Sequence, residues 1–153
     1  MNYFLDTNAC IALIKGDPGV VRARLKDVVG GGAQIWVSSV VAFELWYGAA
    51  KSQNFERNAM RLRDFFGGGW RVADFDEEDA RRAGEVRAQL ERGGKPIGAY
   101  DVLIAGQALR RGHTLVTANT KEFARVKGLR WEDWAKGGKR VKGMEKAGSV
   151  GPL

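Results

Sequence analysis

Short apolar runs and amphipathic helical stretches alternate along the chain. Asn2-Tyr3-Phe4-Leu5 is a four-residue run that stops at Asp6-Thr7-Asn8, and Ala9 to Ile14 continues with helical character until Gly16. This pattern reads as strand, loop, helix. After Asp17-Pro18, the residues Val20, Val21, Leu25, Val28 and Val29 recur at helical spacing until the glycine run 30–32 stops them. Gln34 to Val37 predicts a second strand, and Ser38 or Ser39 predicts an N-cap for a helix over about Val40 to Ala50, because a serine hydroxyl accepts the free amide hydrogens of a first turn. Phe55, Ala59, Leu62, Phe65 and Phe66 mark a further amphipathic helix over Asn54–Phe66, closed by glycines 67–69, and Trp70 to Ala73 alternates like a short strand. Asp76-Glu77-Glu78-Asp79 opens a helix reaching Leu90, since carboxylates complement the dipole of a first turn. Gly93-Gly94-Lys95-Pro96 is a loop, Ala99 to Arg110 an apolar helix, and Leu115-Val116-Thr117 a strand behind it. Strands alternating with helices predict a three-layer α/β domain with a mostly parallel sheet. No internal repeat is present.

Length and composition narrow this picture. The chain has 153 residues, 44% of them apolar, the size and balance of one domain. A domain of that size buries about 68–70% of the surface its unfolded chain exposes, so no disulfide or structural metal is needed for folding. The one cysteine, Cys10, precludes an internal disulfide, and the one histidine, His113, precludes mechanisms that need two. The longest uncharged run, 28–43, is 16 residues interrupted by glycines and serines, too short for a membrane span. The N-terminus meets Asp6 before a leader-type apolar segment develops. The expectation is a cytoplasmic protein with no membrane partner.

The net charge of +7 is unevenly spread. Residues 135–153 carry five basic side chains against Glu145, a net of +4, whereas 1–134 carry only +3. The division expected is a folded domain over 1–134 and a basic, disordered tail over 135–153, which suits either a polyanionic partner or simple solubilisation.

Chemistry is expected at the carboxyl ends of the strands, where ligands gather in parallel α/β sheets. Asp6 follows the first strand, and Asn119 lies two residues beyond Thr117. Glu44 and Asp101 are lone acids within the apolar segments 40–47 and 97–104. A carboxylate among core-forming side chains is costly unless it is paired or coordinated. If the three acids converge, they repel one another without a cation, and oxygen ligands suit Mg²⁺ or Mn²⁺. Each residue also has a plainer reading: Asp6 as a helix cap, Asp101 as a first-turn acid after Gly98, Glu44 as an ion-pair partner of Arg63 or Arg87, and Asn119 as a turn residue.

Four segments, in order, carry a resemblance. They are Phe4-Leu5-Asp6-Thr7-Asn8; Val37-Ser38-Ser39 with Glu44-Leu45 and Tyr47-Gly48-Ala49; Pro96 to Ala105 around Asp101; and Leu115 to Phe123 around Asn119, followed by 125–129 and Glu132-Asp133-Trp134. The chain resembles the PIN-domain ribonucleases, and within them the VapC toxins of VapBC toxin–antitoxin pairs. That resemblance implies a PIN-like fold with Asp6, Glu44 and Asp101 as metal-binding catalytic carboxylates. It places Asn119 at a fourth catalytic position where some PIN domains have aspartate, and Thr7 as a supporting hydroxyl beside Asp6. Val41 departs from a threonine common in relatives. The implied activity is a Mg²⁺- or Mn²⁺-dependent endoribonuclease that cleaves a structured RNA of the tRNA or rRNA class and so arrests translation. The implied partners are the RNA substrate, a second copy in a homodimer, and a cognate VapB-like antitoxin whose C-terminal segment fills the acidic groove. The helices 40–50 and 54–66, with Trp46, Phe55, Met60, Phe65 and Phe66, are candidate interfaces.

The chemistry needs a cation to lower the pKa of a water, orient it in line and stabilise charge on the phosphate oxygens. Lys15, Lys51, Arg57 and Lys121 are candidates for holding the RNA backbone, which a solvated surface face explains equally well; Trp46, Tyr47 and Tyr100 are candidates for stacking on bases, with core packing the expected role for at least two of them at helical spacing. Two other functions fit parts of the pattern. A phosphatase of the haloacid dehalogenase type would use Asp6 as nucleophile, but its Asp-x-Asp pattern meets Asn8 here. A catalytically silent PIN-like module would bind RNA or protein without cutting.

Overall fold

The computed structural model describes residues 1–136; the proposed tail lies outside them except for Ala135 and Lys136. Five strands form one sheet in the order β3-β2-β1-β4-β5, and all four pairings are parallel. They are β1 (Asn2–Leu5), β2 (Gln34–Ser38), β3 (Arg71–Ala73), β4 (Thr114–Val116) and β5 (Trp131–Glu132). Between them run α1 (Thr7–Lys15), α2 (Gly19–Gly30), α3 (Ser39–Lys51), α4 (Phe55–Phe66), α5 (Glu77–Arg92), α6 (Ala99–Arg111) and the short α7 (Thr120–Phe123), and a 3₁₀ turn spans Trp134–Lys136. The fold is a three-layer α/β domain with helices flanking the sheet, as the alternation of patterns predicts. No helix among the described residues is long and apolar enough to cross a membrane.

The central strand is the most apolar. Phe4 and Leu5 are buried beside Val37 of β2 and Leu115 and Val116 of β4, the near-continuous hydrophobicity that a strand covered on both faces requires. Because β1 pairs with β2 on one side and β4 on the other, the chain reverses its winding direction there. The crevice beyond the carboxyl ends of β1 and β4 is therefore the switch point of the sheet.

Ser38 is the N-cap of α3, its hydroxyl accepting from the Val40 amide. Ser39 instead accepts from the amide of Phe75, just beyond β3. The elements absent from the sequence reading are α7 and β5, whose four and two residues are too short to display a period. Thr117 falls outside β4, because the pairing with β1 ends at Leu5 and Val116.

A buried polar cluster fixes α5 against α6. Asp76 and Asp79 form a reciprocal capping box at the start of α5. Asp79, fully buried, also accepts from Arg110 and Arg111 at the end of α6, each at 2.9 Å, and from Gln107 at 3.2 Å. The acids that suit the first-turn dipole thus also tie two helices together. Gly106 lets the helices touch: a Cβ there would lie 2.5 Å from the Cα of Ala83. Asp79→Ala would remove the buried carboxylate that Gln107, Arg110 and Arg111 share, although all three keep bonds to Ala73, Asp74 or Asp76. It should lower the unfolding free energy by about 2–3 kcal/mol, measured by urea denaturation; a loss below ~1 kcal/mol would mean that the cluster is not the clamp described here.

A convergent acidic site at the carboxyl ends of β1 and β4

Asp6 ends β1 and caps α1. Its carboxylate accepts the Ala9 amide at 2.8 Å and also hydrogen-bonds Thr117, while its own amide donates to Val116 O at 3.0 Å. The capping role expected as an alternative is real, and it coexists with a position in the crevice. Asp6 is only 5% exposed. Burial, offset in part by the Thr117 and Ala9 hydrogen bonds and reinforced by the charges of Asp101 and Glu44, pushes its carboxyl up to about 6.

Glu44 stands on the second turn of α3. Among the described residues no arginine pairs with it: Arg87 pairs with Glu91 on α5, and the hydroxyl of Thr7 donates to Glu44 Oε1 at 2.7 Å. Thr7 therefore orients the second acid of the set. Asp101 lies in the first turn of α6 without closing a side-chain cap. Its carboxyl is raised to about 6 by burial first, then by the charges of Glu122 and Glu44, against a lowering hydrogen bond from Asn119.

Asn119 uses its amide nitrogen to hold acids together. Nδ2 donates to Asp101 Oδ2 at 3.3 Å and to Glu122 Oε2 at 2.6 Å, which leaves Oδ1 as the free acceptor. Glu122, which the sequence reading passed over, also accepts from the Gly98 amide at 2.9 Å. Its carboxyl is held low by the Asn119 and Gly98 hydrogen bonds. While Asp101 stands as the first-turn acid of the alternative reading, Glu122 bonds the N-cap amide of α6. Its signal in the sequence was only its spacing, three residues after Asn119 and hence one helical turn on. Thr117 was missed as well: buried, it meets Asp6 and accepts from the Asn119 amide at 2.9 Å.

The set brings together Asp6, Glu44, Asp101 and Asn119 with Thr7 in support. Among the described residues none of Asp6, Glu44 and Asp101 forms an ion pair with lysine or arginine. Nor do any three histidine, cysteine, aspartate or glutamate side chains there stand close enough to make a ready-formed metal group. Oxygen-only donors whose charges raise the carboxyls of Asp6 and Asp101 suit a hard divalent cation.

Residues 3–129 match the PIN domain family. The chain is 45% identical to the tRNA(fMet)-specific endonuclease VapC of Shigella flexneri, an alignment covering 88% of this chain and 99% of that one. The chain belongs to the PIN-domain family, among the VapC ribonucleases. The VapC of Salmonella typhimurium, with the same name as the Shigella protein, is 41% identical over 88% of this chain and 98% of its own. Among solved structures, VapBC2 from Rickettsia felis bound to a DNA fragment from its promoter superposes with a TM-score of 0.81 at 38% identity. That match covers 88% of this chain and 99% of the other. The VapC-like reading and the three-layer fold both stand.

Two expectations about surfaces change. Of Trp46, Tyr47 and Tyr100, only Trp46 packs against the core, stacking on Phe66 at 6.5 Å, whereas Tyr47 and Tyr100 are exposed, so core packing accounts for one of the three and not two. Phe65 is buried, leaving Phe55 and Met60 as the exposed apolar residues of α4.

The raised carboxyls make the cation-free site a source of instability. Asp6 and Asp101 bind protons more tightly when folded (about 6) than unfolded (3.8), so stability falls as pH rises from about 4 to above 6. Asp101→Asn should therefore stabilise the EDTA-treated protein at pH 7.5. The gain, discounted for the partial exposure of Asp101, is about 1 kcal/mol, or about 2–4 °C in Tm. It should vanish by about pH 4. Melting curves of both proteins across that range test this, and the comparison cancels His113, whose burial-lowered pKa acts in the opposite direction.

Proposed function

We propose that the chain is a metal-dependent endoribonuclease toxin, with Asp6, Glu44 and Asp101 as its cation-holding carboxylates and Asn119 as a fourth catalytic position. The observation that carries this reading is the convergence of three acids from three separate segments, without a basic partner among the described residues, at the switch point of a VapC ribonuclease sheet. A bound Mg²⁺ or Mn²⁺ would supply the Lewis acidity that activates water and stabilises charge on the scissile phosphate.

The chain's own residues do the positioning. Asp6 is held by two hydrogen bonds at a strand end, which leave its carboxylate little freedom. Thr7 fixes the rotamer of Glu44, and Asn119 presents its carbonyl oxygen because both amide hydrogens are engaged by Asp101 and Glu122. Glu122 adds charge beside Asp101 and supports the site through Asn119. Lys15, Lys51, Arg57 and Lys121 are exposed and serve as contacts for RNA phosphates.

Relatives whose names specify tRNA(fMet) favour a transfer RNA within the structured-RNA class, and its cleavage would arrest translation. Relatives solved as VapBC complexes support a cognate antitoxin. Its segment would lie in the cleft between α1, α2 and α4, lined by Leu13, Phe65 and Trp70 and continued past Ile14 and Arg61 to Thr7 and Glu44. A segment seated there ends at the acids and blocks them. A homodimer is part of the same reading.

Purified protein incubated with labelled total RNA should produce discrete fragments with Mg²⁺ or Mn²⁺ and none with EDTA. Asp6→Asn, Glu44→Gln and Asp101→Asn should each reduce cleavage by about 10²–10³-fold, the scale of removing one electrostatic group from a reacting centre. Glu122→Gln should cost about 10–100-fold, as expected for support behind the ligands. Undiminished cleavage by Asp101→Asn would overturn the assignment, and metal binding without cleavage of any RNA would favour a silent binding module.

A further inference from the structure

Three aromatic side chains stand half in solvent on the two helices that carry Glu44 and Asp101. Phe43 and Tyr47 occupy successive turns of α3 and are 51% and 58% exposed, and Tyr100, in the first turn of α6, is 48% exposed. Two of the three adjoin a site acid in sequence: Phe43 precedes Glu44, and Tyr100 precedes Asp101. They touch one another across the two helices. The Phe43 and Tyr100 centroids are 5.5 Å apart, and Phe43 and Tyr47 lie nearly parallel, 22° and 6.5 Å apart. Lys51 extends the row, its ammonium 5.5 Å from the Tyr47 ring centroid.

We infer that this row is a stacking platform for unpaired bases of the RNA substrate, which it holds beside the acids while Lys51 meets a neighbouring phosphate. The inference rests on the nuclease reading above and names how its substrate is gripped. Aromatic faces at a phosphate-cutting site suit bases because every base has a π-face, and a flanking cation suits the backbone that joins them. A second copy of the chain would have to bury much surface beyond the patch. Three side chains of ~200 Å² each, half exposed, offer about 300 Å², against about 800 Å² per partner in a stable interface. The patch is also interleaved with carboxylates and hydroxyls, which a dry interface would have to desolvate. The assignment selects single-stranded loops over paired stems, since bases inside a helix hide the faces the rings would meet.

The test uses the full chain in EDTA, where cleavage is off, and a single-stranded RNA oligomer carrying 2-aminopurine. Binding should quench the probe, and an abasic oligomer of equal length should bind about tenfold more weakly. Phe43→Ala, Tyr47→Ala and Tyr100→Ala should each weaken binding about tenfold, while Tyr47→Phe and Tyr100→Phe, which keep the ring, should remain within about twofold. Melting curves establish that each variant is folded. Three results would overturn the platform: no binding of the oligomer by the unmodified chain, equal affinity of the abasic oligomer, or unchanged affinity in the folded alanine variants. If those variants instead become monomeric while binding RNA as before, the row is a contact between copies. Restoring the metal separates the two readings. Cleavage that ignores the alanine substitutions keeps the nuclease and removes the platform; ring-dependent binding by a chain that cuts nothing keeps the platform and removes the nuclease.

Discussion

Asp6 is held at the end of the central strand of the sheet, with one carboxylate oxygen on the Ala9 amide and a further bond to Thr117. Those contacts join three elements: β1, whose pairing ends one residue earlier; α1, which the carboxylate caps; and the chain leaving β4. A parallel sheet makes such a junction possible, because every strand delivers its carboxyl end to the same edge. With β1 between β2 and β4, the helices that follow diverge and leave a crevice. Glu44 and Asp101 reach that crevice from α3 and α6, and the direction of the central strand thereby sets the place of the site.

The site opposes the stability of the fold that holds it. Desolvation and mutual repulsion raise Asp6 and Asp101 to about 6, so at neutral pH the cation-free protein carries ionised groups that its surroundings disfavour. Such strain persists only where the framework is over-determined. Here the framework is the buried Asp79 cluster, the close approach of Gly106 to Ala83, and the apolar strands behind the crevice. Asn119 contributes from within, because an amide between Asp101 and Glu122 separates two carboxylates that an aspartate there would crowd further.

Much of this was legible in the sequence for a physical reason. Period-two and period-3.6 patterns encode burial directly, so the helices α1 to α6 and the strands β1 to β4 appear at nearly their observed bounds. Asp6, Glu44 and Asp101 were visible because an acid in an apolar segment is an energetic anomaly, and the resemblance to VapC toxins joined them into one set. Glu122 was not visible, since an acid in the polar segment after Asn119 is no anomaly. Thr117 was read as an ordinary strand residue. Trp46 was a candidate for RNA contact because an aromatic residue near Glu44 looks the same in sequence whether it faces solvent or Phe66.

The sequence by itself determined the alternation of elements, the identity of the unusual acids and the family to which they belong, because these depend on local periodicity and on residue type. Only the tertiary structure decided which partners those acids have. It gave Thr7 to Glu44, Thr117 to Asp6, and Asn119 to both Asp101 and Glu122, and it divided the aromatic residues of α3 between core and surface. These are contacts between segments far apart in the chain, set by the order of strands in the sheet and the rotation of each helix upon it, neither of which leaves a period in the sequence.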